Sequence, residues 1–521
     1  MAGILPPQPV GYPLRSIGIG APLLTAGGSE RSVVGTPGNA YNCGRMITNG
    51  SQGRQGVPLE GRLKRGLQLG AGMFVVAASL ASAADVASVW GGARGTVVLK
   101  SDGTVWTWGA NYGGKLGIGL DAATTNRVLA PVEVHGPGNV GFLNPISAIM
   151  GGEMHNVAIR SDGTVWAWGP NMNTFGLLGN GTTNDASVPT QVSGLHDVVA
   201  LGGRGYHTLA VESNGTVWAW GWNSTGALGD GTTNATLVPV QVVGLTNPAV
   251  VSAGYHFSIA LMRDGTVRQW GIGRVIGSSY TPRQISSFSN VVAISAGWDH
   301  ALALKSNGSV WSWGKNDPGC LGDGSTSNRT IPVQVNGLSN MVAVSGGDGH
   351  SSALGADGTI WKWGKNDVGE LGSGATNGVA NPVPARVLTD SYGAGFSNVV
   401  MMAARDYHNI AVKADGSVWQ WGANDQGQCG DNTTVDRWRP VKVSGLGPRV
   451  PLTLDLQPGV QPGQAALRWR SATGEFFTIQ YTTNLMNGFT GTLPTNILAS
   501  PPTNVFILPM TNDCCFYRLK F

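Results

Sequence analysis

The chain of 521 residues is long enough for two or three domains, or for one repeat array with smaller attachments. Glycine supplies 80 residues and charged side chains only 12%, against a usual charged share of about 25%, which excludes long solvated helices and coiled coil. A hydrophobic share of 41% with 18 Trp excludes a disordered chain, and a net charge of only +4 excludes the strongly basic surface needed to track a phosphate backbone.

Residues 1–61 are rich in Gly and Pro without periodic pattern and are expected to be an unstructured or mis-assigned leader, with Met46 as an alternative start. Arg62, Lys64 and Arg65 then precede the apolar run Gly66 to Leu80 and the small-residue site Ala81-Ser82-Ala83. This is the order of a secretory signal peptide over 62–83, so the mature chain is expected in the periplasm, the cell envelope or the medium. The run falls short of the ~20 apolar residues that cross a bilayer, so no stable membrane span is expected. The first 83 residues hold seven Lys/Arg and two acids, which leaves 26 basic against 27 acidic residues and no expectation of nucleic acid as a partner.

From residue 84 to 447 one phrase recurs seven times: DGTVWTWG from Asp102, DGTVWAWG from Asp162, NGTVWAWG from Asn214 and DGTVRQWG from Asp264. It returns as NGSVWSWG from Asn307, DGTIWKWG from Asp357 and DGSVWQWG from Asp415, at steps of 60, 52, 50, 43, 50 and 58 residues. Asp-Gly or Asn-Gly between alternating runs predicts a tight hairpin, with positive φ at the turn and a period-2 strand carrying both Trp on one face. A strand such as Leu209-Ala210-Val211 precedes each turn. A W-G-x-N loop, usually ending in Leu-Gly, follows in six copies, and then a short strand holding Pro, as at Pro189, Pro239, Pro332 and Pro440. Proline cannot donate to a ladder, so that last strand belongs at a sheet edge. Three to four strands repeated seven times predict an all-β, seven-bladed β-propeller whose blades stack on the 13 Trp of the phrase. The fourth copy departs from the rest: Arg268 replaces the first Trp, and the Asn and Leu-Gly loop is missing.

Residues 448–521 open on a Pro-rich linker and continue as short alternating runs, Phe477 to Tyr481 and Phe516 to Phe521 among them, which predicts a small Ig-like or fibronectin-like β-sandwich. The five Cys (Cys43, Cys320, Cys429, Cys514 and Cys515) contain no C-x-x-C and predict no disulfide framework.

The combination of G-x-x-H, D-G-x-V-W-x-W-G and N-x-x-G-x-L-G over roughly 86–447 resembles the regulator-of-chromosome-condensation repeat family. The resemblance implies a seven-bladed propeller whose loops on one face engage a partner protein. Members of that family include nucleotide exchange factors, secreted inhibitors and interaction scaffolds.

Six His fall at what reads as one repeat position: His155, His207, His256, His300, His350 and His408. Ligands on one zinc ion lie only ~3.3 Å apart, whereas equivalent points on a propeller ring are ~9 Å apart, so no metal is expected and each His should bond within its own blade. No catalytic arrangement stands apart from the repeat, so neither an enzyme nor a cofactor is expected. The residues before each His vary while the rest stays constant, and they are rich in aromatics and acids: Glu153, Met154, Tyr206, Tyr255, Trp298, Asp299, Asp348, Asp406 and Tyr407. These nine are the expected partner-binding residues on one face of a monomeric propeller. A protein is the first class of partner expected and a glycan the second. The functional alternatives are inhibition or regulation of an envelope enzyme such as a β-lactamase-like hydrolase, and guanine-nucleotide exchange.

Overall fold

The computed structural model describes residues 86–446 apart from 121–124, 173 and 274–276, together with the backbone of Arg31–Val33 and of strands between 455 and 520. The signal peptide expected at 62–83 lies outside the described residues, as do Cys43, Cys514, Cys515 and the side chains of the small sandwich expected at 448–521. The chain divides into two compact units. The smaller holds a five-stranded antiparallel sheet in which Phe516–Lys520 lies between Arg31–Val33 and Phe476–Thr482. The larger holds a three-stranded sheet of Asp455–Pro458, Gln464–Trp469 and Asn504–Pro509, and the seven blades.

Each blade is a four-stranded antiparallel meander built from one uninterrupted stretch of chain. The inner strands are Val86–Gly92, Ile146–Gly151, Val198–Gly203, Pro248–Ala253, Val291–Ala296, Met341–Gly346 and Val399–Arg405, each packed on its neighbours, and the first on the last, which closes the ring. The Pro-bearing strands are the outermost in their sheets, as with Ala186–Gln191, Arg329–Gln334 and Arg437–Lys442. At the D-G hairpins only the glycine has positive φ (Gly103, 85°), because the loop is a three-residue turn closed by Gly103 N–H to Lys100 O (3.0 Å) rather than a two-residue one. Asp102 Oδ1 accepts from the Thr104 amide (3.0 Å) and hydroxyl (2.6 Å), and the hydroxyl in turn accepts from Trp106 Nε1 (3.1 Å). The repeated acid is therefore a turn-former. Among the described residues no helix is long and apolar enough to cross a membrane.

The two Trp of each phrase share a face but not a fate. The second (Trp108, Trp168, Trp220, Trp270, Trp313, Trp363, Trp421) is fully buried against the preceding blade, while the first is only partly covered in most blades. The W-G-x-N loop prepares that contact. Its Asn side chain accepts the amide of the Leu in Leu-Gly (Asn223 to Leu228, 2.9 Å; Asn316 to Leu321, 2.8 Å), which turns the preceding carbonyl toward the next blade. There Ala227 O accepts Trp270 Nε1 (2.8 Å), Cys320 O accepts Trp363 Nε1 (2.8 Å) and Gln428 O accepts Trp108 Nε1 (2.9 Å).

The histidines complete the same junctions, and here two expectations are corrected. Each buried His bonds to the next blade, not within its own: His155 Nε2 lies 2.8 Å from Thr208 Oγ1, His207 2.8 Å from Ser258 Oγ, and His300 2.9 Å from Ser351 Oγ. His350 lies 3.1 Å from Asn409 Oδ1 and His408 3.4 Å from Thr96 Oγ1. A strand cannot satisfy an imidazole pointing at its neighbour, so the partner comes from across the junction. Second, the fourth blade has Phe257 at this position, since Phe257 pairs with Gly271 as His207 pairs with Gly221; His256 sits one residue earlier. The junction between blades 4 and 5 is rebuilt to match. Ala301 replaces the hydroxyl residue, and Gln269 Oε1 replaces the missing loop carbonyl by accepting Trp313 Nε1 (3.0 Å).

Phe257→His alone is expected to lose about 1–3 kcal/mol by burying an imidazole opposite a methyl group. Adding Ala301→Ser should recover part of that loss in a double-mutant cycle followed by urea denaturation, and strictly additive effects would contradict this account.

Candidate functional site: the ring of inner turns

The turns joining each inner strand to the second strand meet around the propeller axis, where their backbones bond from blade to blade. Ala93 N–H donates to Glu153 O (3.1 Å), Glu153 to Gly205 O (3.2 Å), Tyr255 to Trp298 O (3.0 Å), Trp298 to Gly347 O (3.2 Å) and Asp348 to Asp406 O (3.0 Å). All nine expected binding residues lie on these turns, with the fourth-blade pair being Tyr255-His256.

The ring has two unlike halves. Blades 2 to 5 carry a continuous aromatic row: Phe175, on the loop before the last strand of blade 2, to Tyr206 (6.4 Å between ring centres), Tyr206 to Tyr255 (5.1 Å), and Tyr255 stacked on Trp298 (4.0 Å, 14°). Trp222 backs the row through His256 (5.1 Å) and Tyr255 (6.4 Å), and His256 Nδ1 lies 3.9 Å from Asp299. Tyr206, Tyr255, Trp298 and Met154 are half-buried, and Tyr407 is more exposed at 37%.

The other half is charged and largely internal. Arg204 reaches from blade 3 to blades 6 and 7, donating to Gly346 O (2.6 Å) and Asp406 Oδ1 (3.3 Å), so a buried ion pair spans the axis. Arg405 lies over Trp90 at 4.1 Å. Lys115 donates to Ala93 O (2.9 Å) and Glu153 O (2.6 Å) beside Gly95, where the first blade lacks its His. Burial lowers the Lys115 ammonium to about 8. Burial, reinforced by Asp406, raises the Glu153 carboxyl well above its ordinary value. Burial also raises Asp348, against the hydrogen bond it accepts from Tyr407. Asp299 and Asp406 are buried, and Glu153 Oε2 is shut off from solvent without a partner. The acids thus shape the centre of the face, and the aromatics form its surface.

Sequence reasoning missed Phe175, Trp222, Arg204, Arg405 and Lys115. The signal was present in the repeat itself. Arg204 and Arg405 stand where other blades have Gly92, Gly152, Gly254, Gly297 and Gly347, and Trp222 stands where the others carry Ala110, Pro170 or Lys315.

A family model described as the regulator of chromosome condensation (RCC1) repeat matches residues 102–159, 162–211, 214–261, 307–354, 357–412 and 415–451, more than half of the chain. A second model of the same description matches 199–227 and 291–320. The chain belongs to this repeat family. Among curated relatives, the mitochondrial RCC1 domain-containing protein RUG3 of Arabidopsis thaliana is 31% identical over 158 residues, covering 30% of this chain and 33% of the relative. The chain spans about a third or less of the length of the curated relatives it matches. Yeast RCC1 (Prp20) bound to Kap60 superimposes with a TM-score of 0.55 at 23% identity, covering 65% of this chain and 83% of that one. Prp20p of Saccharomyces cerevisiae, in a structure titled for its binding to Gsp1p and histones, gives 0.53 at 21% identity, covering 63% and 82%. These structural likenesses establish the fold.

Proposed function

We propose that this chain is an exported, non-enzymatic propeller that binds a protein through the ring of inner turns, with the aromatic row of blades 2 to 5 as its contact surface. The row carries the reading: Phe175, Tyr206, Tyr255 and Trp298 form an unbroken, half-exposed series at positions that the repeat leaves free. Every blade has its second Trp, and six of seven their loop Asn, but nothing in blade packing requires rings at Tyr206, Tyr255 and Trp298. Large aromatics at the centre of a face are the residue types that dominate protein–protein hot spots. That Prp20 is recorded with Kap60, and with Gsp1p and histones, supports a protein as the class of partner. Export rests on the leader at 62–83. A second reading, regulation of an envelope enzyme such as a β-lactamase-like hydrolase, is favoured by the same aromatic surface.

The mature chain as bait, against envelope, secreted and cytosolic fractions, should capture an envelope or secreted protein. Capture should fall at least tenfold when Tyr206, Tyr255, Trp298 and Tyr407 are changed to Ala together. Stability should fall modestly, since each lost aromatic pair contributes about 0.5–1.5 kcal/mol. Unchanged capture by a variant that still melts cooperatively would end the reading. A captured hydrolase inhibited at nanomolar concentration would establish the regulatory form, and a cytosolic GTPase alone would overturn the assignment of export.

A further inference from the structure

Six of the seven blades send the loop between their third and fourth strands across the boundary onto the next blade, and the fourth blade does not. In blade 3 that loop is residues 222–235, between the ladder partners Gly221 and Thr236. In blade 4 the pairing runs on through Gly273 and Gly277, so only residues 274–276 join the two strands.

Wherever it is present the loop makes the same two contacts. Its first glycine lies flat on the outer edge of the next blade: a methyl group on Gly114 or Gly226 would come no farther than 3.1 Å from the Cα of Ser187 or Tyr280, and the other four loops agree. Five positions later a residue of positive φ donates its N–H to the carbonyl of that same edge residue. The bonds are Gly119 to Ser187 (2.9 Å), Gly181 to Leu237 (2.9 Å), Gly231 to Tyr280 (3.0 Å), Gly324 to Pro382 (3.0 Å), Gly374 to Trp438 (2.8 Å) and Asn432 to Leu129 (3.1 Å).

The corresponding edge residue of blade 5 is Thr330, which follows Arg329, and Arg329 pairs with Gly314 as Thr236 pairs with Gly221. Among the described residues no backbone N–H of blade 4 reaches Thr330 O. Thr330 is exposed, and Ile331 beside it is 68% exposed. The inner part of this boundary is sealed all the same, by Phe288 against buried Trp313 and by Gln269. What the boundary lacks is its outer cover. An edge carbonyl left free in this way is a ready acceptor for another chain. The loop's inner end also reaches the next inner turn, as where Thr225 Oγ1 donates to His256 O (2.9 Å). His256 corresponds to Asp299 in blade 5. The uncovered seat therefore runs from the Trp298-Asp299 turn, where the aromatic row ends, out to Thr330 and Ile331.

We propose that this seat between blades 4 and 5 receives a glycine-rich turn of the protein partner, which lays one glycine on Thr330 and donates a backbone N–H to Thr330 O, as the chain's own loops do at the six other boundaries. This rests on the protein-binding reading and specifies the partner's contacting element: a turn, with glycine where a side chain would strike the edge.

The probe is a head-to-tail cyclic peptide of residues 222–235, closed where Gly221 and Thr236 face each other, and its binding to the mature chain is followed by saturation-transfer NMR. The peptide should bind, and its Gly226→Ala form about tenfold more weakly. Ile331→Asp should weaken binding about tenfold, whereas Val383→Asp, at the equivalent exposed position of blade 6 where the blade 5 loop fills the seat, should leave it unchanged. Replacing residues 272–278 by residues 222–235 gives blade 4 a loop and should abolish binding. No binding of the peptide, equal binding of its Gly226→Ala form, or equal effects of Ile331→Asp and Val383→Asp would each overturn the proposal. If the grafted chain fails to fold, the two point variants decide. Self-association of the chain in sedimentation, abolished by Ile331→Asp, would put a second copy in the seat and overturn the assignment to a partner. Aromatic-dependent capture that neither the peptide nor Ile331→Asp diminishes removes only this inference, whereas capture indifferent to the four aromatics removes the reading beneath it.

Discussion

Acidification from pH 7 to about pH 4.5 is expected to unfold the propeller cooperatively, because five buried imidazoles must remain neutral for the ring to hold. The hydroxyls of Ser258, Ser351 and Thr96 donate to the loop carbonyls Ala227 O (2.9 Å), Cys320 O (2.8 Å) and Gln428 O (3.2 Å), so the histidines facing them donate from Nε2. Asn409 Oδ1 can only accept, which fixes His350 in the same tautomer. The other ring nitrogen of His207 and His350 is then a bare, buried acceptor without a partner, and His155 Nδ1 is likewise buried without one. A proton added there would have no counter-charge and no acceptor. Burial accordingly lowers His155, His207 and His300 to about 3 and His408 to about 4, and lowers His350 well below its ordinary value. A depressed histidine favours the folded state fully above its unfolded value near 6.5, and that contribution is lost as the pH falls from there toward the folded value. Each such residue removes up to about 1.4 kcal/mol per pH unit, so the set removes up to about 7 kcal/mol for each unit below 6.5, against a domain stability of about 5–15 kcal/mol. The raised carboxyls of Glu153 and Asp348 act in the opposite sense but are fewer. Tryptophan fluorescence and near-ultraviolet circular dichroism should show a steep transition between about pH 6 and 4. His300→Gln, whose amide can still donate to Ser351, should move it to lower pH. A flat profile down to pH 4 would contradict the account.

Trp220→Ala is expected to cost about 3–5 kcal/mol, while Trp218→Ala, two residues away on the same strand face, costs clearly less. Trp220 is fully buried, donates to Leu177 O across the junction (3.0 Å) and lies against Gly179, where a methyl group would come within 2.7 Å of its Nε1. Removing it opens a cavity between two blades and leaves a carbonyl unpaired; neighbouring strands cannot collapse into the space without breaking the ring. Trp218 is half-buried over the rim and makes no cross-junction bond. Urea unfolding of both variants checks the difference. Equal losses would mean that the two rings share the packing role that the structure gives to one.

The blade count, the hairpins and the outer position of the Pro strands were legible because each rests on a local pattern: Gly103 and its counterparts, the Val-Trp-x-Trp alternation, and Pro189 or Pro440 at an edge. The junctions were less so. Whether His207 bonds within its blade or to Ser258 depends on residues about fifty positions apart, and the repeat pattern does not encode direction. His256 misled because it lies one residue from the true repeat position, and only the pairing of Phe257 with Gly271 corrects it. That the nine variable residues share the inner turns was legible from the repeat, but those turns could not show that Arg204 would cross the axis to Asp406. Its replacement of a repeated glycine was the available clue.

Among the described residues no strand is shared between the first and last blades: Val86 and Leu446 belong to one apolar cluster, and the ends of the ring meet through side chains and the bond from Asn432 N–H to Leu129 O (3.1 Å). Closure is consequently modular rather than hooked. A gene that duplicated, deleted or re-ordered one unit of about fifty residues would have to renew only the junctions at the cut, since five of the seven boundaries obey the same rule of a Trp and a His reaching opposite ways. The blade 4 to 5 junction, with its Phe257, Ala301 and Gln269, records how such a boundary can drift to a different chemistry and still seal. Evolution can therefore recompose the binding face turn by turn, because the ring does not depend on where the chain begins.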